Sequence, residues 1–121
     1  DGVVAEVEPT STAPDLPELD DSLFVDSTGV GEVDIDSIDN SFEDRYVTVD
    51  AGTTITWTNR GRVEHNVTPS VDGQFEGVGT EEFGPGAVYS ETLDEPGEYQ
   101  YYCTIHGTPR NGQTGAIRVV G

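Results

Sequence analysis

The sequence predicts an all-β domain, an antiparallel Greek-key β-sandwich or barrel, over residues 31–121. Three observations predict it. Apolar residues alternate with polar ones in short β-branched runs. Turn signals such as Asp50-Ala51-Gly52, Asn59-Arg60-Gly61 and Pro96-Gly97 separate those runs at close spacing. No stretch carries a helical period. A chain of 121 residues has room for one such domain and some additional length.

The elements follow in order. Residues 1–22 hold Pro9, Pro14 and Pro17 among Ser, Thr and carboxylates, with little to bury, so a disordered acidic tether is expected. Residues 23–30 form a lead-in. Val33 and Ile35, then Phe42, mark one strand and its exit, and Tyr46-Val47-Thr48-Val49 a second. The run Thr53-Thr54-Ile55-Thr56-Trp57-Thr58 puts Ile55 and Trp57 on one face of a third, with Trp57 in the core. Val63 to Val67 reads as another short strand, carrying His65. After a loop rich in glycine (Gly73, Gly77, Gly79, Gly84-Pro85-Gly86) come Ala87 to Leu93, Glu98 to Cys103 and Gly115 to Val120.

Charge narrows the choice of partner. The net charge is -19, and the five basic residues are all arginine. Phosphate binding needs cationic side chains, so nucleic acid and anionic membrane surfaces are excluded as partners. Residues 1–44 carry 14 acidic and no basic residues, whereas 45–121 carry 10 acidic and five basic. Two readings of this acidity stand side by side: steering of a basic redox partner, or adaptation of the whole surface to high salt. No apolar run reaches the ~18 residues of a membrane span, so the chain is expected to be soluble and to meet a membrane only through its N-terminal tether. A single cysteine excludes an intrachain disulfide.

That cysteine, Cys103, lies three residues before His106, one of only two histidines; the other is His65. Alone, Cys103 reads as a small buried apolar residue and His65 as a satisfied strand-end histidine. Together they read differently, because all three fall where a strand runs into a Gly/Pro loop, the part of a sandwich that gathers functional side chains. One thiolate and two imidazoles suit the trigonal copper site of electron-transfer proteins, which adds a weak axial donor. The chain has no methionine to serve as that donor.

Val63-Glu64-His65-Asn66-Val67, Tyr101-Tyr102-Cys103-Thr104-Ile105-His106 and Gly112-Gln113-Thr114-Gly115 together resemble the small cupredoxins, the plastocyanin, pseudoazurin and halocyanin group. The likeness extends to Thr48 through Asn59 and to the Pro96-Gly97-Glu98-Tyr99 turn. It implies one copper ion held by His65, Cys103 and His106. The family's axial methionine has Gln113 in its place here, in a loop slightly longer than plastocyanin's; the stellacyanin branch is similar in using Gln. An amide oxygen is a harder donor than a thioether and favours Cu(II), so a lower reduction potential is expected. Asn66 resembles the asparagine that ties the two ligand loops by bonding towards Thr104, and Glu64 is a third candidate neighbour of the ligands. Asn66-Val67-Thr68 also fits a glycosylation pattern, read as chance. Tyr99, Tyr101 and Tyr102 are expected in the core and on the sheet surface.

The resemblance implies a mononuclear type 1 (blue) copper protein, monomeric, carrying one electron between partner proteins outside the cytoplasm, in a periplasm or on the outer face of the cell membrane. Electrons would pass through His106, ringed by Gly107, Pro109 and Pro85. No catalysis is expected, since a copper cluster needs more than two histidines. The alternatives are a type 1 domain cut from a larger copper enzyme and a copper-binding module without a redox role.

Overall fold

A computed structural model describes residues 16–121. Nine strands occur among the described residues: β1 (Val25–Asp26), β2 (Glu32–Ile38), β3 (Ser41–Glu43), β4 (Tyr46–Asp50), β5 (Thr53–Asn59), β6 (Thr68–Pro69), β7 (Val88–Leu93), β8 (Gly97–Gly107) and β9 (Gly112–Val120). They form two sheets, one ordered β1-β4-β9-β8-β6 and the other β3-β2-β5-β7. Helical structure among the described residues is confined to two single 3-10 turns, Asp21–Leu23 and Thr80–Glu82.

The antiparallel expectation needs correction, because both sheets are mixed. β1 with β4, β4 with β9 and β2 with β5 pair in parallel, while the remaining ladders are antiparallel. Period two reports only which residues face inwards, and is the same for either direction. The burial pattern follows it closely. Along β5 the inward residues are Thr53, Ile55, Trp57 and Asn59, and along β4 they are Val47 and Val49.

Trp57 fills the middle of the sandwich. It stacks on Tyr89 at 5.3 Å between ring centres and meets Tyr101 edge-on at 5.3 Å. Ile35, Phe42, Ile55, Phe83 and Ile117 complete this layer, with Tyr99 and Tyr101 buried and Tyr102 partly so. Buried apolar and aromatic area of this kind is what stabilises a domain lacking a disulfide.

Two expectations about the chain's path change. Val63 to Val67 is a loop whose one ladder contact is the isolated bridge of Val67 to Val78. Its buried polar side chains, His65 and Asn66, break the alternation a strand would need. Residues 16–22, expected within the tether, lie instead against β8 and β9. Gln100 Nε2 donates to the Pro17 carbonyl (3.1 Å), Arg118 Nη2 donates to the Leu19 carbonyl (2.7 Å), and Arg118 Nη1 pairs with Asp21. The rest of the expected tether, residues 1–15, lies outside the described residues.

Candidate metal centre

The site forms where three loops meet at one end of the sandwich. β8 pairs regularly with β9 as far as Tyr102, and the register then slips until Gly107 pairs with Gly112. The slip releases Cys103 to His106 from the ladder and lets side chains three apart turn to one point. Gly112 closes this loop with φ +86, and a Cβ there would lie 2.4 Å from the His106 carbonyl oxygen, so only glycine fits.

His65 reaches the same point from the loop after β5. The loop is pinned by Asn59, whose Nδ2 donates to the carbonyls of Val63 (3.0 Å) and Phe83 (2.8 Å) and whose Oδ1 accepts from Gly61 N–H (2.8 Å). The His65 N–H in turn donates to the Phe83 carbonyl at 3.3 Å. Sequence reasoning placed Asn59 in a turn. Its phase with Ile55 and Trp57 was the signal that it points inwards.

Cys103 Sγ lies 3.7 Å from His65 Nδ1 and 4.0 Å from His106 Nδ1, and one donor atom from each residue lies within 4.8 Å of the others. A metal with bonds of about 2.3 Å to sulfur and about 2.0 Å to nitrogen, near a trigonal angle, separates those donors by about 3.7 Å. The three donors therefore fit one ion. Cys103 and His65 are fully buried, whereas His106 is partly exposed.

Gln113 is fully buried, and its side chain comes close to His65. Its Nε2 donates to the carbonyls of Ile38 (2.9 Å) and Ser41 (3.0 Å) and approaches Ser37 Oγ at 3.3 Å. Two carbonyl acceptors fix which end of the amide is nitrogen. The opposite end, Oε1, is buried without a hydrogen-bond partner, although the side chain is close enough to His65 to favour the protonated imidazole. A buried carbonyl oxygen without a donor is costly unless something electropositive meets it.

Around the donors, Asn66 and Thr104 clasp each other. Asn66 Nδ2 donates to Thr104 Oγ1 (2.8 Å), and Asn66 Oδ1 accepts from Thr104 N–H (2.9 Å) and from Thr68 Oγ1 (3.0 Å). This amide is 5% exposed, which leaves no glycan acceptor. Glu64, expected beside the ligands, is exposed. Asp39, which sequence reasoning did not single out, places Oδ1 3.5 Å from His65 Nε2. Burial lowers the proton affinity of His65 below its ordinary value, and Asp39 opposes that shift. The Asp39 carboxyl is itself held below the usual range, chiefly by the Arg62 N–H.

His106, Gly107 and Pro109 are partly exposed and Pro85 is exposed, as are Val63 and Ile105, at 47% and 49%.

Comparison with known proteins agrees with this geometry. Amicyanin-alpha from Methylorubrum extorquens is 30% identical over 86 residues, covering 68% of this chain and 70% of its own length. Chloroplastic plastocyanin from Tetradesmus obliquus is 35% identical over 72 residues, 54% of this chain, and the match spans half of that relative's length. Among solved structures, a reduced amicyanin variant superposes with a TM-score of 0.62 at 28% identity, covering 74% of this chain and 83% of that one. The copper-containing nitrite reductase of Thermus scotoductus superposes with a TM-score of 0.65 at 25% identity, covering 83% of this chain but 28% of the reductase. Residues 30–120 match the family model for copper-binding proteins of the plastocyanin/azurin family. With a β-sandwich that brings one thiolate and two imidazoles together, the chain belongs to this cupredoxin family, and copper is its cofactor.

Proposed function

We propose that this chain is a mononuclear blue-copper electron carrier, in which Cys103, His65 and His106 would hold the copper and Gln113 Oε1 would be a fourth, weaker donor. The observation that carries this reading is a buried thiolate–imidazole pair that reaches solvent through one partly exposed imidazole, His106. When bound, copper supplies a one-electron couple.

The chain's own residues do the rest. The ladder slip in β8 and the Asn66–Thr104 clasp hold the donors in place before the metal arrives, so little has to move when its charge changes. Gln113 has its nitrogen anchored by two carbonyls, leaving its oxygen to face the site. The core around Trp57 and Phe83 keeps water from Cys103. The exposed apolar residues Val63 and Ile105, with Pro85 and Pro109, would offer a partner an apolar approach to His106. The -19 charge suits a basic partner. We place the chain outside the cytoplasm, with its N-terminal segment as the link to a membrane.

The absorption spectrum of the copper-loaded protein tests the reading. An intense visible thiolate-to-copper band is expected, and a colourless complex refutes the reading. Gln113→Met tests the axial assignment. With the harder donor gone, the potential rises by about 59 mV for each tenfold loss of Cu(II) over Cu(I) affinity, and the visible band shifts. An unchanged spectrum and potential would remove Gln113 from the ligand set.

A second reading, a copper domain of a larger enzyme, is favoured by the superposition on part of a nitrite reductase. The two histidines, both engaged in the proposed site, leave none for a separate catalytic copper.

A further inference from the structure

The His65 ring has two nitrogens, and the site uses only one of them. Nδ1 faces Cys103 Sγ. Nε2 is buried and completes no hydrogen bond, and the carboxylate beside it is Asp39, with Oδ1 3.5 Å away. That distance is in ion-pair range and long for a well-formed hydrogen bond.

The approach of Asp39 is built by two separate segments. Asp39 sits in the turn between β2 and β3, and its Oδ1 accepts the Arg62 N–H at 2.7 Å from the loop that carries His65. Between them passes Gly61. A Cβ on Gly61 would lie 2.3 Å from Asp39 Oδ1 and 3.0 Å from His65 Nε2. The φ of Gly61 is outside the left-handed region, so its lack of a side chain serves the carboxylate–imidazole approach and not a backbone turn.

We propose that Asp39 is a positioning residue for His65, selecting the tautomer with hydrogen on Nε2 so that the Nδ1 lone pair points at the metal position. The inference rests on the blue-copper reading above for its consequence, but not for its geometry. In the opposite tautomer the Nε2 lone pair would face the carboxylate oxygen, and two acceptors repel. With Nε2–H towards Asp39, the same contact becomes attractive. The second nitrogen of a metal-binding histidine commonly meets such a partner, which fixes the ring and strengthens its donor atom. An anionic partner also favours the more highly charged Cu(II).

Two variants test this in the full chain. Asp39→Asn removes the charge from a half-exposed turn while keeping the shape. Gly61→Ala leaves Asp39 in the sequence but pushes its carboxylate away. The first measurement is the ring-nitrogen chemical shifts of His65 in the metal-free protein, at a pH where the imidazole is neutral. The parent is expected to hold the Nε2–H tautomer almost alone, and both variants to populate the other. The second is copper affinity, with Cu(II) binding expected to weaken 10–100-fold, in the range found for outer partners of metal ligands, and Cu(I) binding less. An unchanged tautomer population in both variants overturns the proposal, whatever the affinities do. A colourless copper complex in a parent whose variants still shift the tautomer would overturn the blue-copper reading and leave the role of Asp39 standing.

Discussion

Replacing Asn66 with alanine should cost more stability than any other single amide in this protein's loops, because its side chain makes two hydrogen bonds to Thr104, 38 residues away in sequence, and a third to the nearby Thr68. The Thr104 N–H would lose the Oδ1 acceptor at 2.9 Å, and the Thr68 hydroxyl the same oxygen at 3.0 Å. A net hydrogen bond contributes about 1 kcal/mol, and a buried group left unpaired costs about 1–3 kcal/mol. The Thr68 and Thr104 hydroxyls can turn to water, so the expected total is about 2–4 kcal/mol. For a domain of this length each kcal/mol shifts the melting temperature by about 4 °C, which predicts a fall of roughly 8–16 °C. Asn66→Asp provides the control. It keeps Oδ1 as acceptor, and the Thr104 hydroxyl can reverse its role and donate, so most of the stability should return. The assay is thermal unfolding of the metal-free protein followed by circular dichroism. An alanine variant melting within about 2 °C of the parent would show that the clasp holds nothing and refute the argument.

Two further outcomes follow from the structure. The folded protein disfavours protonated His65, chiefly through burial, so its folded proton affinity is below the unfolded one. Stability of the metal-free protein from this source is complete above about pH 6.5 and is lost as pH falls below it, by up to ~1.4 kcal/mol per pH unit. Unfolding melts between about pH 7.5 and about pH 5.5 check this, and a His65→Gln variant with the same slope as the parent would refute the assignment. Arg118→Gln should release residues 16–22, since the guanidinium donates to the Leu19 carbonyl, pairs with Asp21 and covers the Phe24 ring at 4.0 Å. Cleavage at Glu18 by a glutamate-specific protease should then quicken while the visible copper spectrum stays unchanged. Equal cleavage rates would show that Arg118 is not what holds the segment.

Much of the inward face was legible because burial in a sandwich repeats every second residue. Val47, Val49, Ile55 and Trp57 could be assigned without coordinates, as could the loop ends carrying Cys103 and His106. Strand direction was not legible, since the same alternation serves parallel and antiparallel partners, and both sheets proved mixed. The loop around His65 was misread as a strand because its apolar ends, Val63 and Val67, imitate the period. What holds that loop is the side chain of Asn59, which reaches the Val63 carbonyl four residues on and the Phe83 carbonyl 24 residues on, with no sequence signature beyond its phase. Residues 16–22 were assigned by composition, which reports little apolar area but not the three contacts that Gln100 and Arg118 offer.

By itself, the sequence determined the chemistry available to the site: one thiol, two imidazoles and no thioether, a donor set that suits copper through ligand softness and number. Such facts depend on composition and survive any folding. Only the tertiary structure decided which atoms converge, because distances between residues 65, 103 and 106 depend on how the ladder slips and where the loops are pinned. It also decided which end of Gln113 is tied down, since its nitrogen donates to the carbonyls of Ile38 and Ser41, more than 70 residues away in the chain. Asp39 came from the fold alone. A turn aspartate becomes the neighbour of a buried imidazole only when Gly61 leaves the space for it.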